Sequence, residues 1–450
     1  MGEEIKVEVE RRGARIYAHS HITGLGLDSR GRARKIGGGL VGQEEAREAA
    51  GIIVEMVREG KLSGRGVLIV GPPGTGKTAL AIAIARELGE DTPFVAFNAG
   101  ELYFGGDKIE RLMQAIRKAI GVRIREKREV VEGVITEFKL KRARTAFSPY
   151  AAVTGARITL ETADDSMTFT VGPHVVEQLL AAGVKKGDVI MIDVETGAVR
   201  VLGRGKGRAT RYDIDVYAEV EVPKGPVRKV KEIVRTVTLH DIDASLAAQR
   251  TVIAGFTAIF EAEKGISSDD RRRTDEIVRK WVDEGKAEIV AGVMFIDDAH
   301  LLDLESFAFL TKAMESEFSP VIILATNRGL TRVRGTDVES PHGIPRDLLD
   351  RLLIITTRPY TRDEIKEIIR IRAEEEEIPL TEEALEKLTD IGAERSLRYA
   401  VQLMEPARII AERMGDTKVK PQHVEEAKRL FADIGRSLEL VEKYKELMLR

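Results

Sequence analysis

The chain has 450 residues, 43% hydrophobic and 32% charged, with a formal net charge of -3. That composition describes a globular chain of about two to four domains and excludes a bulk polycation. Cysteine is absent, which excludes disulfides and cysteine-ligated zinc and suits a reducing cytoplasm. No apolar run reaches the roughly 18 residues a membrane span needs. The first residues, MGEEIKVEVERRG, lack an apolar core, so a secretory signal is not expected.

Residues 1–40 are polar and glycine-rich; a helical pattern then begins near residue 44. VLIV (67–70) reads as a buried strand, followed by GPPGTGKT (71–78) and the strong helix former ALAIAIAREL. A second strand is expected at PFVAFNA (93–99) and a helix at about 107–120. This alternation predicts a parallel α/β sheet. The pattern then changes to period two over 128–142, 156–171, 188–203 and 216–223, with ETG (195–197) as a hairpin turn and one helix over 175–183. A small β-barrel of OB type, inserted into the α/β domain through crossings near 121–127 and 228–238, fits that stretch. The α/β pattern resumes with GVMFIDDAH, a helix over 304–317, VIILATN (321–327) and LLII (352–355). From Thr361 the chain reads as helical to its end. Thr361 and Glu364 form a capping box, and Pro421 suits a first helical turn. The expected domains are 1–122 with 238–360, an inserted 123–237, and a helical lid, 361–450.

Charge is uneven along the chain. Residues 123–235 carry 21 Lys+Arg against 16 Asp+Glu, a net of +5, so the remainder is at -8. The basic middle suits an anionic partner such as DNA or RNA, or is simply a solvated face.

Gly71, Pro72, Pro73, Gly74, Thr75, Gly76, Lys77 and Thr78 complete the motif G-x-x-x-x-G-K-[ST] between a strand and a helix. Glycines let successive backbone N–H groups turn toward phosphate oxygens, and the helix start adds its dipole. Lys77 reaches the β- and γ-phosphates of ATP, and the Thr78 hydroxyl is a Mg²⁺ ligand. Such a site needs an acid at the end of a neighbouring strand. Asp188/Asp193 and Asp297/Asp298 compete for that role. The second pair ends a continuous apolar run, as a central parallel strand should. Asp297 is therefore the expected Mg²⁺ acid, and Asp298 the residue that orients or polarises the attacking water. Asn327, a polar tip on the same sheet edge, is a candidate to hold that water or the γ-phosphate. His300 receives no role.

Taken together, the P-loop, the long β-rich insert, FIDDAH, ATN, HGIPRDLLDRLLII and SLRYAVQL resemble the RuvB-like AAA+ ATPases, Pontin and Reptin. HSHITGLGL (19–27) and VGQ (41–43) extend the resemblance over about residues 15–430. Archaeal members are the nearest comparison. The resemblance implies an AAA+ P-loop parallel sheet with an inserted OB-like barrel and a C-terminal helical lid. It implies that Arg351 acts as an arginine finger on a neighbouring subunit's γ-phosphate, and that Arg398 contacts the γ-phosphate from its own lid. His19, His21, Val41, Gly42, Tyr360, Ile368 and Leu397 would form the adenine slot for ATP or ADP. It further implies a homo-oligomeric, hexameric ring, active as a helicase on nucleic acid or as an assembly scaffold for protein partners.

One position departs from the family. Asp-Glu is usual where this chain has Asp297-Asp298, so the second carboxylate is shorter by about 1–1.5 Å. A misplacement of that size is able to slow chemistry by about 10²-fold while nucleotide binding survives. For nucleic acid, Lys139, Lys141, Arg142, Arg144, Arg204, Lys206, Arg208 and Arg211 flank turns of the insert. Phe138, Phe147, Tyr150, Phe169, Tyr212 and Tyr217 are its sparse candidates for base stacking. A nucleoside or nucleotide kinase would also carry a P-loop, but the helical tail, Arg398 and the insert argue against it.

Overall fold

A computed structural model describes residues 19–89, 91–104, 106–143, 152–205, 219–254 and 266–444. The chain divides into two compact units, one built on Ile124–Arg235 and the other on Val9–Arg123 with Thr236–Arg450.

The larger unit contains the expected parallel sheet. After a short antiparallel pair, Ile36–Gly37 with Leu40–Val41, come α1 (Glu44–Arg58), β1 (Gly66–Val70), α2 (Lys77–Leu88), β2 (Phe94–Asn98) and α3 (Lys108–Lys118). The long strand β3 (Ile120–Ala143) leads into the other unit. That unit holds β4 (Ala152–Glu161), β5 (Ser166–Val171), α4 (Pro173–Ala181), β6 (Asp188–Asp193), β7 (Val199–Gly205) and β8 (Glu219–Val220). The chain returns along β9 (Arg228–Thr238). The larger unit then continues with α5 (Leu239–Ala254), α6 (Ser268–Asp283), β10 (Ala287–Ala291), β11 (Val293–Asp297), α7 (Leu304–Met314) and β12 (Val321–Thr326). A short hairpin of β13 (Leu330–Arg332) and β14 (Glu339–Pro341) precedes β15 (Leu352–Thr356).

The sheet order is β15-β1-β12-β11-β2, and every neighbouring pair is parallel. Val67, Ile69, Phe295, Ile323 and Ile355 bury one face of it under α1 and α2, where Ile53, Leu80 and Ile84 meet them. A fully buried side chain of this size contributes roughly 2 kcal/mol. This explains the near-continuous apolar runs in the sequence, since a central parallel strand is covered on both faces.

The helical tail is α8 (Arg362–Glu375), α9 (Glu382–Glu394), α10 (Leu397–Arg413), α11 (Pro421–Leu430) and α12 (Ile434–Lys443). Ile369, Leu388, Leu403, Met404, Ala407 and Val424 form its core. The expected capping box is present: Thr361 Oγ1 accepts from Glu364 N, and Glu364 accepts from Thr361 N at 2.7 Å.

In the insert the strand order is β8-β7-β6-β3-β4-β5, with β9 also paired to β3. Among the described residues, β5 and β8 each have one neighbour in this order. Residues 156–171 were expected as one alternating run, but the chain turns over between β4 and β5. The Thr162 hydroxyl accepts from Asp165 N at 3.0 Å, a local turn bond that alternation alone does not reveal. The hairpin at 195–197 is as expected: β6 and β7 are antiparallel, and Gly197 takes φ 69°.

Candidate active site

The parallel sheet places the C-terminal ends of its strands side by side. Val70 pairs with Thr326, and Asp297 with Asn98. Gly71 N donates to Thr326 O at 3.3 Å, which sets the start of the phosphate loop against the strand that ends before Asn327. The edge therefore gathers the phosphate loop, Asp297, Asp298, Asn98 and Asn327, and Asn327 is exposed.

Gly74 and Gly76 take φ 77° and 83°, the left-handed conformations that turn the loop into the N-terminus of α2. Lys77 Nζ donates to the carbonyls of Gly71 and Pro72 at 2.9 and 2.8 Å. Burial pushes the Lys77 ammonium below its ordinary pKa, and the Asp297 and Asp298 carboxylates oppose that shift. The Asp297 carboxyl is raised, first by burial and then by the charge of Asp298; Lys77 and Arg398 pull it back. These couplings bring Lys77, Asp297, Asp298 and Arg398 into one electrostatic cluster.

Asp298 is held in a specific pose. It adopts φ 52°, its N–H donates to Asp297 Oδ1 at 3.0 Å, and its Oδ2 accepts from Asn98 Nδ2 at 2.7 Å. Asn98 also caps the following helical turn by accepting from Gly100 N at 2.9 Å. The sequence reading missed Asn98, although it meets the criterion that singled out Asn327, a polar tip on a core strand. His300 lies between the two strand ends: Nδ1 is 3.3 Å from Thr326 Oγ1, and Nε2 accepts from Arg328 Nε at 3.4 Å. Burial lowers its pKa. The rival acids are in the insert. Asp193 accepts from Glu195 N, Thr196 N and Arg128, and Asp188 from Lys185 N, so both organise turns.

Several residues of the expected adenine slot lie against the lid helix or the phosphate loop. His19 and His21 lie 6.1 Å apart beside Arg372 of α8, and burial brings the His19 pKa down to about 4. His21 Nδ1 is buried without a hydrogen-bond partner, an orphan a nucleobase could satisfy. Val41 is buried, and the Glu364 carboxylate packs on Gly42, where a Cβ would lie 2.2 Å from Oε1. The Tyr360 hydroxyl covers Gly76, and Ile368 and Leu397 are half-buried. Arg47 organises the loop that carries this wall. It is 1% exposed, and its guanidinium donates to the carbonyls of Leu25, Gly26, Arg34, Gly37 and Gly42.

Arg351 lies elsewhere. Its carbonyl accepts from Gly66 N, at the start of β1, and its guanidinium pairs with Glu315 at 2.5 Å. The phosphate loop begins at the other end of that strand, about 16 Å away along five residues. Among the described residues no group of three or more His, Asp or Glu side chains forms a metal site. A Mg²⁺ ion would instead draw on Thr78, Asp297, phosphate oxygens and water, a donor set of hard oxygens that suits it.

This edge, with a complete phosphate loop, paired strand-end acids and a helical lid contributing a basic residue, defines a P-loop ATPase of the AAA+ class. Residues 15–363 match the TIP49 P-loop domain, and residues 368–433 match the TIP49 AAA-lid domain. The chain is similar to RuvB-like helicase 1 of Eremothecium gossypii, at 44% identity over 437 residues, covering 96% of this chain and 95% of that protein. The chain belongs to the TIP49 family of RuvB-like AAA+ ATPases. That relative is fungal, whereas the sequence alone pointed to archaeal members.

Proposed function

We propose that the chain hydrolyses ATP in the presence of Mg²⁺ within a head-to-tail homo-oligomeric ring, most simply a hexamer. Its domains in this reading are the core, 1–122 with 238–360, an OB-like insert, 123–237, and a lid, 361–450. The observation that carries the reading is that Lys77, Asp297 and Asp298 share one sheet edge, with Arg398 of the lid close enough for its charge to act on Lys77 and Asp297. Lys77 binds the β- and γ-phosphates, and its charge grows more effective as water leaves the half-buried site. Thr78 and Asp297 hold the Mg²⁺, which when bound neutralises phosphate charge. Asp298 accepts a proton from the attacking water, with Asn327 beside it on the same edge. Arg398 meets the γ-phosphate from the lid. Arg351, at the far end of β1, serves a neighbour's site rather than its own, and a ring supplies that neighbour.

The ring acts on DNA or RNA, with helicase activity, or on nucleoprotein complexes. Support comes from the similarity to the fungal RuvB-like helicase 1 and from the basic insert. Lys139 pairs with Glu137, and Lys141 donates to Thr170 at 3.2 Å. Arg144, Lys206, Arg208, Arg211, Phe147, Tyr150, Tyr212 and Tyr217 lie outside the described residues, as does the side chain of Arg142. Phe138 and Phe169 pack against the core of the insert, which removes two of the six stacking candidates. Arg204 is half-committed to the same sheet. The second reading, a slowly turning assembly scaffold for protein partners, is favoured by the short, Asn98-tethered carboxylate of Asp298. ATPase rates with single- and double-stranded DNA over a salt series separate the two. Stimulation that fades steeply with salt supports the motor; indifference to DNA supports the scaffold. An archaeal source and a cytoplasmic setting fit a cysteine-free chain rich in ion pairs.

A further inference from the structure

Residues 357–361 join β15 to α8, and so join the core sheet to the lid. On one side this hinge is built against the phosphate loop. Thr357 N donates to Val70 O at 2.8 Å, and the Thr357 and Thr75 hydroxyls share a 2.6 Å hydrogen bond. A Cβ on Gly71 would lie 2.1 Å from Thr357 Oγ1, and one on Gly76 would lie 2.4 Å from Tyr360 Oη. Any movement of the loop is therefore felt by the hinge.

The opposite side is held by Gln43. This residue is 8% exposed and precedes α1 in the left-handed conformation, φ 53° and ψ 39°. Its Nε2 donates to Arg358 O at 2.6 Å, and its Oε1 accepts from Arg358 N at 3.1 Å. One side-chain amide thus satisfies both backbone groups of a residue 315 positions away, as a neighbouring strand would. The Arg358 guanidinium continues the connection to Glu364 of α8, at 2.7 and 2.8 Å, and to Glu44 of α1, at 3.2 Å. Left-handed backbone favours glycine, yet glycine could not supply this amide.

We propose that Gln43 is a positioning residue for turnover, whose amide clamps the 357–361 hinge so that the lid presents Arg398 to the phosphate site. The inference rests on the ATPase reading above, and deepens it. Loss of the clamp leaves the phosphate loop intact but lets the lid sample positions in which Arg398 is out of place.

Two variants test it. Gln43→Gly keeps the left-handed backbone without strain and deletes both amide bonds to Arg358 together with the side-chain bond to Tyr360, so a Tm measured alongside separates lost stability from lost positioning. Gln43→Glu keeps the acceptor for Arg358 N–H but replaces the donor with a carboxylate oxygen that faces Arg358 O and adds charge beside Glu44 and Glu364. The chain has no cysteine, so Lys61→Cys and Glu383→Cys, both exposed, place one spin-label pair per protomer across core and lid, read after dilution into excess unlabelled protein so that distances between protomers drop out. Gln43→Gly is expected to broaden the core–lid distance distribution read with ADP and Mg²⁺ and to lower kcat read with ATP and Mg²⁺ about ten- to a hundredfold, with ADP affinity changed far less. Gln43→Glu, which also loses the bond to Arg358 O, should turn over more slowly than the parent. A Gln43→Gly protein with the parent's kcat and distance distribution, whatever its Tm, overturns the proposal. If the parent chain binds nucleotide but does not turn it over, the function proposed above fails, while the distance distributions still decide the role of Gln43.

Discussion

Replacing Asp298 by asparagine isolates the chemistry of one carboxylate. The change is isosteric, and asparagine is among the residues that tolerate the left-handed conformation found here, φ 52°. Its side-chain oxygen is able to keep the bond from Asn98 Nδ2, now 2.7 Å long. The fold therefore loses little. What disappears is a proton acceptor and one negative charge. A general base contributes about 10²–10⁴ in rate, or about 3–5 kcal/mol of barrier. Binding should move the other way. Burial and the Asp298 charge both hold the Asp297 carboxyl above its usual range; removing the second cause makes Asp297 easier to ionise and relieves repulsion toward a triphosphate. Phosphate release should fall by about 10²–10⁴-fold, while ATP affinity in Mg²⁺ stays level or tightens. A kcat within about twofold of the parent would remove Asp298 from the chemistry. A parallel loss of ATP affinity would make it a structural residue instead.

Two further outcomes follow from the segment around Arg47 and His19, proposed above as a wall of the adenine slot. Arg47→Met should cost about 4 kcal/mol in urea unfolding, because a buried charge-bearing clamp on five carbonyls is lost; a loss below about 1 kcal/mol would contradict the role given to Arg47. His19 is neutral in the fold, with a pKa brought down to about 4 from 6.5. Its contribution to stability is present above pH 6.5 and is lost as the pH falls toward 4, by about 3 kcal/mol at most. His19→Gln should flatten the fall in unfolding midpoint across that window, and an unchanged slope would refute the assignment.

Contiguous features were legible in the sequence. The phosphate loop, the apolar run ending in Asp297-Asp298, and the Thr361–Glu364 capping box each declare themselves within a few residues. Hydrophobic alternation located the insert because its strands carry one buried face, with Ile158 and Leu160 inward, Arg157 exposed and Thr159 half-buried beside them. Contacts between distant segments were not legible. Arg47 looks like one more helical arginine until five carbonyls from an irregular loop surround it. Gln43 follows a glycine with no pattern that signals a partner at Arg358. The adenine-slot residues and both arginine roles came only through family resemblance, since a lone arginine on a helix is usually an ion-pair partner. Asn98 could have been found by applying the strand-tip rule to β2 as well as to β12.

The central claim is a hydrolytic site completed by a neighbouring subunit. Asp298→Asn removes the acceptor but leaves Arg351, and Arg351→Ala removes the finger but leaves the acceptor. Each protein alone should release phosphate at a small fraction of the parent rate. Mixed and reassembled in equal amounts, they should recover about a quarter of that rate, because a site with Asp298 meets a neighbour with Arg351 at about one interface in four of a head-to-tail ring. Mixtures no more active than the separate proteins, or an Arg351→Ala protein with the parent's turnover, would contradict the account.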